Sequence, residues 1–123
     1  MPVSASKVKK FAFARISRLR LKRDFEAVFD AGKRTTAGEL VMWHKPGEEA
    51  PSKIGLMVSK KTGGAVRRNR IKRLLREAFR LSQEQLKEGT RLIIYPKAGC
   101  AIDTMAQARN ALEGIWRKAR LIK

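Results

Sequence analysis

Apolar residues recur with the period of a helix in three parts of this chain. In the middle part they fall at i, i+3, i+4, i+7 and i+8, the spacing of one helix face: Ile71, Leu74, Leu75, Ala78 and Phe79. A C-terminal stripe consists of Met105, Ala108, Leu112, Ile115, Trp116 and Ala119, with Asp103 as its predicted N-cap. A shorter stripe consists of Leu21, Phe25, Val28 and Phe29 and ends before a C-capping Gly32.

Three other stretches have the shorter period or the composition of strands. Residues 53–59 alternate, with Ile54, Leu56 and Val58 on one face, while residues 39–44 and 91–95 are short apolar runs bounded by turn residues. The order α-β-β-α-β-α predicts a two-layer α+β domain with helices covering a small sheet. If strands 53–59 and 91–95 are parallel, the middle helix is the crossover between them.

Length and charge patterning indicate one domain with a basic extension. Residues 1–20 carry six lysines and arginines and no acid, so we interpret them as a basic N-terminal arm. The remaining residues, 21–123, show no internal repeat or second boundary and are predicted to form a single domain.

The overall charge points to an anionic partner. The chain has 29 basic and 11 acidic residues and a net charge of +18, an imbalance typical of proteins that bind nucleic acid or an anionic membrane. No apolar run approaches the roughly 18–20 residues of a membrane span, and no signal-peptide pattern begins the chain. We therefore expect a cytoplasmic protein that binds nucleic acid and has no membrane partner.

The middle helix concentrates this charge. Nine cations and one carboxylate lie within residues 60–80, and Arg73, Arg76 and Arg80 fall opposite the apolar stripe. Like-charge pairs three or four residues apart disfavour such a helix by roughly 1–3 kcal/mol at low salt. Cations near its N-terminus also oppose the helix dipole. Because phosphates at that end would relieve both penalties, the pattern favours phosphate binding over a merely solvated face.

The chain offers little for protein-based catalysis or metal binding. Cys100 is its single cysteine and His44 its single histidine, so one chain forms neither a disulfide framework nor a zinc cluster. We interpret both residues as structural and predict no catalytic residue and no metal site in the protein.

The run from Val58 to Arg73 closely resembles the signature of the bacterial ribonuclease P protein subunit. Its hallmark is an Arg-Asn-Arg triplet, here residues 68–70, which opens a basic helix after a strand that ends in Ser-Lys-Lys. Residues 21–29 resemble the family's first helix, and the likeness covers about residues 18–120. One departure is Gly64, where the family commonly has Asn.

The resemblance implies a fold and a function. The fold is an α/β sandwich with a small mixed sheet, about three helices and a left-handed βαβ crossover. The function is to assist the catalytic RNA of ribonuclease P in removing the 5′ leader from precursor tRNA. The RNA and its Mg²⁺ ions carry out the hydrolysis, while the protein binds the leader and promotes productive metal binding.

Two binding surfaces follow from the resemblance. The surface expected to face the catalytic RNA consists of Lys60, Lys61, Arg67, Arg68, Asn69, Arg70, Lys72, Arg73 and Arg76. The cleft expected to hold the leader contains Phe25, Phe29 and Trp43, with Met42 as another candidate. Bases stacked on such rings gain about 1–3 kcal/mol each with little sequence preference.

Several alternatives stay open at this stage. Asn69 is also a plausible helix N-cap, and the stripe that holds Phe25 and Phe29 is equally typical of core. A small ribosomal protein that binds rRNA has the same composition. Helix-turn-helix DNA binding is disfavoured, because a strand and two glycines precede the basic helix where that motif needs another helix. The 11 scattered acids argue against a metal-dependent protein nuclease.

Overall fold

The computed structural model describes residue 19, residues 22–46 and residues 51–123. Three helices and four strands make up this part of the chain, in the order α1 (Lys22–Ala31), β1 (Lys33–Ala37), β2 (Leu40–Lys45), β3 (Lys53–Leu56), α2 (Ala65–Ser82), β4 (Arg91–Pro96) and α3 (Met105–Lys118). The predicted basic arm lies outside the described residues except for Leu19, whose N–H donates to the carbonyl oxygen of Ile54 at 2.9 Å.

The strands form one mixed sheet in the order β1-β2-β4-β3. Strands β1 and β2 are antiparallel, as are β2 and β4, whereas β3 and β4 are parallel with Ile54 opposite Leu92. The parallel pairing on which the crossover depended is present, and α2 is the helix that connects the two parallel strands. The α+β class and the small mixed sheet are confirmed as well.

The main core lies between one face of the sheet and the pair α2 and α3. Every apolar position predicted on these helices is buried or partly buried there, and Trp116, predicted as core, is fully buried. The Phe79 and Trp116 rings meet edge to face with centroids 6.1 Å apart. The apolar sides of these helices therefore cover the sheet, and the opposite side of α2, which carries its cations, faces solvent.

Helix α1 lies on the opposite face of the sheet. Val28 and Ile93 are buried between them, with Phe25, Phe29 and Trp43 packed around as partly buried residues. Gly32 follows the helix as expected but does not have the positive φ of a left-handed cap. Glycine is required at this position for another reason, because a Cβ there would lie 2.7 Å from the carbonyl oxygen of His44.

Strand β1 was not predicted. It is an edge strand of composition Lys-Arg-Thr-Thr-Ala and none of its residues is fully buried, so it has no apolar alternation to detect. A two-residue turn at Gly38 and Glu39 joins it to β2, with Gly38 at φ +54°, a conformation that favours glycine.

The predicted N-cap of α3 was wrong by one residue. Thr104, not Asp103, caps this helix, and its hydroxyl accepts from the N–H of Gln107 while the Gln107 side chain accepts from the N–H of Thr104. This reciprocal pair is a capping box. Asp103 is thereby left to make different contacts.

Candidate nucleic-acid interface

The candidate RNA-binding surface begins where β3 leads into α2. A single 3₁₀ turn at Lys60–Thr62 reverses the chain, and Gly64 is the N-cap of α2 with no side-chain hydrogen bond. Asn69 lies inside the helix, so its alternative interpretation as an N-cap was wrong. A Cβ at Gly64 would meet nothing within 4 Å, so packing does not require glycine at this position.

All nine residues predicted for this surface lie on α2 or on the turn before it, and we call them the α2 surface. Six of them are exposed: Lys60, Lys61, Asn69, Arg70, Arg73 and Arg76. Arg67, Arg68 and Lys72 are half-buried. The helical spacing therefore places every predicted cation at or near solvent, while Ile71 and Leu75 on the other side are fully buried.

An acidic residue that the sequence pattern did not connect to α2 contacts two of these arginines. Arg67 Nη1 lies 3.1 Å and Arg70 Nε 2.8 Å from Asp103 Oδ1, and Arg70 Nη2 donates to the Asp103 carbonyl oxygen at 2.8 Å. Arg67 Nη2 also donates to the carbonyl oxygen of Cys100 at 2.8 Å. The segment between β4 and α3 is thus joined to the first two turns of α2.

This contact changes the charge balance expected at the start of α2. The hydrogen bond and charge of Arg70, with a smaller contribution from Arg67, lower the pKa of Asp103, so the carboxylate is ionised at neutral pH. An anion therefore already offsets part of the repulsion among the first cations of the helix. Asp103 lies 33 and 36 residues away from these arginines, beyond the reach of any local pattern.

Arg68 differs from its two neighbours. Its Nε is buried and has no hydrogen-bond partner among the residues that the structure describes. Buried donors are nearly always satisfied, so this group is a candidate for contact with an external acceptor.

The predicted cleft residues are brought together on the α1 face of the sheet. The rings of Phe29 and Trp43 meet edge to face with centroids 5.4 Å apart. Phe25 lies against Gly55 of β3, where a Cβ would come within 2.6 Å of the ring. All three aromatic residues are half-buried, whereas Met42, the other candidate, is fully buried in the main core on the opposite face.

A groove of about 590 Å³ opens beside these rings at the carboxyl ends of β3 and β4. We call it the aromatic groove; it is lined by Phe29, Leu56, Met57, Val58, Ser59, Lys72, Tyr95 and Pro96. Tyr95 and Met57 were not among the predicted cleft residues. Strand alternation places Tyr95 on the face of Ile93, but only the pairing register shows that this face is the one that carries Phe29.

Lys72 belongs to both surfaces. It lies in the second turn of α2 and also lines the aromatic groove. The basic helix and the aromatic groove are therefore contiguous. One extended single strand of nucleic acid could contact both.

Known proteins similar to this chain identify its family and its fold. The family model described as Ribonuclease P matches residues 13–120. The chain belongs to the ribonuclease P protein family. A ribonuclease P protein component from Bacillus cereus strain B4264 is 34% identical over 103 residues, which make up 83% of this chain and 90% of that protein.

Solved ribonuclease P proteins share the fold. The protein from Staphylococcus aureus, solved at 2.0 Å, matches with a TM-score of 0.75 and 25% identity over 87% of this chain and 98% of that chain. The Thermotoga maritima protein matches with a TM-score of 0.73 and 28% identity over 82% and 96%. The resemblance seen in the sequence is confirmed, and the ribosomal alternative is disfavoured.

The two residues interpreted as structural are both buried in this ribonuclease P protein. Burial raises the pKa of the Cys100 thiol, which keeps it protonated and unreactive at neutral pH. Burial, with the positive charge of Lys33, lowers the pKa of His44. Both groups are therefore uncharged at neutral pH.

Two further findings concern the described residues as a whole. Within residues 22–46 and 51–123, no three acidic, histidine or cysteine side chains gather into a group able to hold a metal ion. None of the three helices is both long enough and apolar enough to cross a membrane.

Proposed function

We propose that this ribonuclease P protein binds the catalytic RNA through the α2 surface and the 5′ leader of precursor tRNA in the aromatic groove. The single observation that carries this proposal is the position of Lys72, which joins the basic helix to the groove. A single strand that enters from the RNA active site would pass from phosphate contacts to base contacts without leaving the protein.

The α2 surface supports the RNA contact. Guanidinium groups match pairs of phosphate oxygens, and Arg68 and Arg70 present two of them one helical turn apart from Lys72 and Arg73. Arg68 Nε is a buried donor without a partner among the described residues, a state that a phosphate oxygen would relieve.

The aromatic groove supports the leader contact. It combines two half-buried rings, Phe29 and Tyr95, with the apolar side chain of Met57, which is 46% exposed. Flat apolar surfaces of this kind stack on any base, and Lys72 supplies a charge for the backbone. Trp43 of β2 meets the Phe29 ring edge to face and supports it from the sheet side.

The protein assists rather than performs the hydrolysis in this proposal. Since no group of metal-binding side chains is found among the described residues, we assign the Mg²⁺ ions mainly to the RNA, and no residue of this chain is given a catalytic role. The cations of α2 would lower the Mg²⁺ concentration that the two RNAs need to associate. We also propose a cytoplasmic location, where precursor tRNA is available.

The test is cleavage of precursor tRNA by the cognate catalytic RNA at low Mg²⁺, with and without this protein. We expect the protein to stimulate leader removal, and absence of stimulation would refute the assignment. Protein alone should cleave nothing. Activity that survives complete nuclease digestion of the catalytic RNA would contradict the assignment of the chemistry to RNA.

The leader contact is tested by replacing a groove ring. Tyr95→Ala should weaken binding of precursor tRNA to the holoenzyme by about 1–3 kcal/mol and leave mature tRNA binding unchanged. Tyr95→Phe is the control, since it keeps the stacking surface. Equal losses for precursor and mature tRNA would indicate that the groove does not bind the leader.

A further inference from the structure

Asp103 is the one carboxylate that contacts the start of the α2 surface in the described part of the chain. Its Oδ1 accepts hydrogen bonds from both Arg67 and Arg70, and its main chain accepts a third from Arg70. The contact is accessible to solvent, because the side chains of Asp103 and Arg70 are 61% and 54% exposed. The Asp103 side chain does not cap α3, since Thr104 is the N-cap and only the main-chain N–H of Asp103 donates to the Gln107 side chain.

We propose that Asp103 is an internal competitor for RNA phosphate, which holds Arg67 and Arg70 in the free protein and thereby restricts stable binding to RNAs that contact the rest of the α2 surface. This inference rests on the proposed function and concerns the selectivity of the same site. It makes Asp103 a specificity-determining residue rather than a structural one.

The chemistry of the contact matches that of a phosphate. A carboxylate oxygen between two guanidinium groups occupies the position that a nonbridging phosphate oxygen would take. Arg70 Nη1 and Asp103 Oδ2 have no hydrogen-bond partner in residues 22–46 and 51–123, so the arginine keeps donors for a second oxygen that Asp103 does not supply. Ion pairs this exposed are weak and readily exchanged.

Selectivity follows from the cost of the exchange. An RNA that contacts α2 only at Arg67 and Arg70 must displace Asp103 or tolerate its negative charge beside the phosphate. An RNA shaped to contact Arg68, Lys72 and Arg73 as well gains enough elsewhere to make the exchange. Asp103 therefore weakens binding of any RNA, but it weakens binding of a poorly matched RNA more.

The experiment compares Asp103→Asn with Glu84→Gln in the full-length protein. Both changes remove one negative charge by replacing a carboxylate with an amide of the same shape. Glu84 is exposed and follows the far end of α2, so it reports the effect of net charge alone. Dissociation constants are measured over a range of KCl concentrations for the cognate catalytic RNA and for an unstructured RNA of equal length, and thermal unfolding checks that each variant is folded.

We expect Asp103→Asn to tighten binding of the unstructured RNA about threefold to tenfold more than Glu84→Gln does, with a smaller gain for the catalytic RNA. The salt dependence for the unstructured RNA should steepen by about 0.7 in log–log slope, the value for one added phosphate contact on a single strand. In an Arg70→Ala background most of this gain should disappear, because the freed guanidinium is absent.

Four outcomes would overturn the role proposed for Asp103, and a fifth would overturn the proposed function. Weaker binding of both RNAs by Asp103→Asn would show that the residue is a brace for the arginines. A gain in affinity equal to that of Glu84→Gln would show that Asp103 acts only through the net charge of the protein. A gain that persists in the Arg70→Ala background would show that the effect of Asp103 does not pass through Arg70. If the wild-type protein does not prefer catalytic RNA at all, the proposed function itself fails, whereas a wild-type preference that Asp103→Asn leaves unchanged refutes only the role of Asp103.

Discussion

At the scale of single residues, both candidate surfaces depend on contacts between side chains far apart in the chain: Asp103 holds Arg67 and Arg70 of α2, and Gly55 of β3 lies against the Phe25 ring of α1. Helical spacing predicted the apolar and charged sides of α2, whereas the assignment of Phe25 and Phe29 to a cleft came from the family resemblance. The contact between Arg70 and Asp103 could not be predicted from the sequence, because Asp103 lies in a segment that has no helical or strand periodicity. Tyr95 was missed for a related reason, since a strand pattern does not reveal which face meets α1.

Gly55 is another residue whose contact lies far away in the sequence. A Cβ at this position would lie 2.6 Å from Cε1 and Cζ of Phe25, so Gly55→Ala should push the ring off the sheet and destabilise the protein by about 1–2 kcal/mol. Gly114→Ala in α3 is the control, because a Cβ there meets nothing within 4 Å and alanine favours a helix by about 0.5–1 kcal/mol. Urea unfolding measures both, and equal effects would contradict the packing seen here.

His44 should make folding depend on pH. Because its pKa is lowered in the folded protein, the unfolded chain binds the proton more readily, and the free energy of unfolding should fall as the pH drops below the unfolded value of about 6.5. Above that pH the contribution of the neutral imidazole is complete. Chemical denaturation of the wild-type protein and of His44→Gln at about pH 7.5 and 5.5 measures this effect. The variant should lose part of the pH dependence of the free energy of unfolding. If its pH dependence equals that of the wild-type protein, groups other than His44 are responsible.

At the scale of elements, helices were easier to predict than strands. Helices α2 and α3 carry a complete apolar stripe because each buries one full side, and both appear close to their predicted bounds. Strand β1 was missed because an edge strand in partial contact with solvent needs no alternation. The polar composition that prevented its prediction also disfavours pairing of this open sheet edge with a strand of another molecule.

The capping box of α3 provides a prediction at this scale. Thr104→Ala removes the side-chain acceptor for the N–H of Gln107 and should lower the free energy of unfolding by about 0.5–2 kcal/mol. Thr104→Ser keeps the hydroxyl and should keep most of the stability. Chemical denaturation of the two variants distinguishes them, and a loss of the same size in both would show that the threonine methyl group, not the cap, is responsible.

At the scale of the whole molecule, charge and fold have separate roles. The main core is apolar and lies between the sheet and the pair α2 and α3, so the net charge of +18 is carried by the surface and the termini. Membership of the ribonuclease P protein family followed from a short motif in the sequence. What sequence reasoning could not supply was the adjacency of the basic helix and the aromatic groove, which depends on the packing of α1 and α2 against opposite faces of one sheet.

Salt dependence tests whether binding is local to the α2 surface or spread over the whole charged surface. The side-chain Nε of Arg68 has no hydrogen-bond partner among the described residues, so it is available to an RNA phosphate. Arg68→Ala should therefore reduce the log–log slope of catalytic RNA binding against salt by about 0.7–0.9. Arg117→Ala is the matched control, since it removes the same charge from an exposed position in the last turn of α3.

A local interface predicts a reduced slope for Arg68→Ala and an unchanged slope for Arg117→Ala. Equal reductions would mean that RNA responds to the net charge rather than to α2. The comparison is informative because each variant lowers the same total charge by one, so long-range attraction changes equally and only a direct phosphate contact distinguishes them. We expect that contact to be made by the buried Nε of Arg68, whose desolvation the RNA would offset.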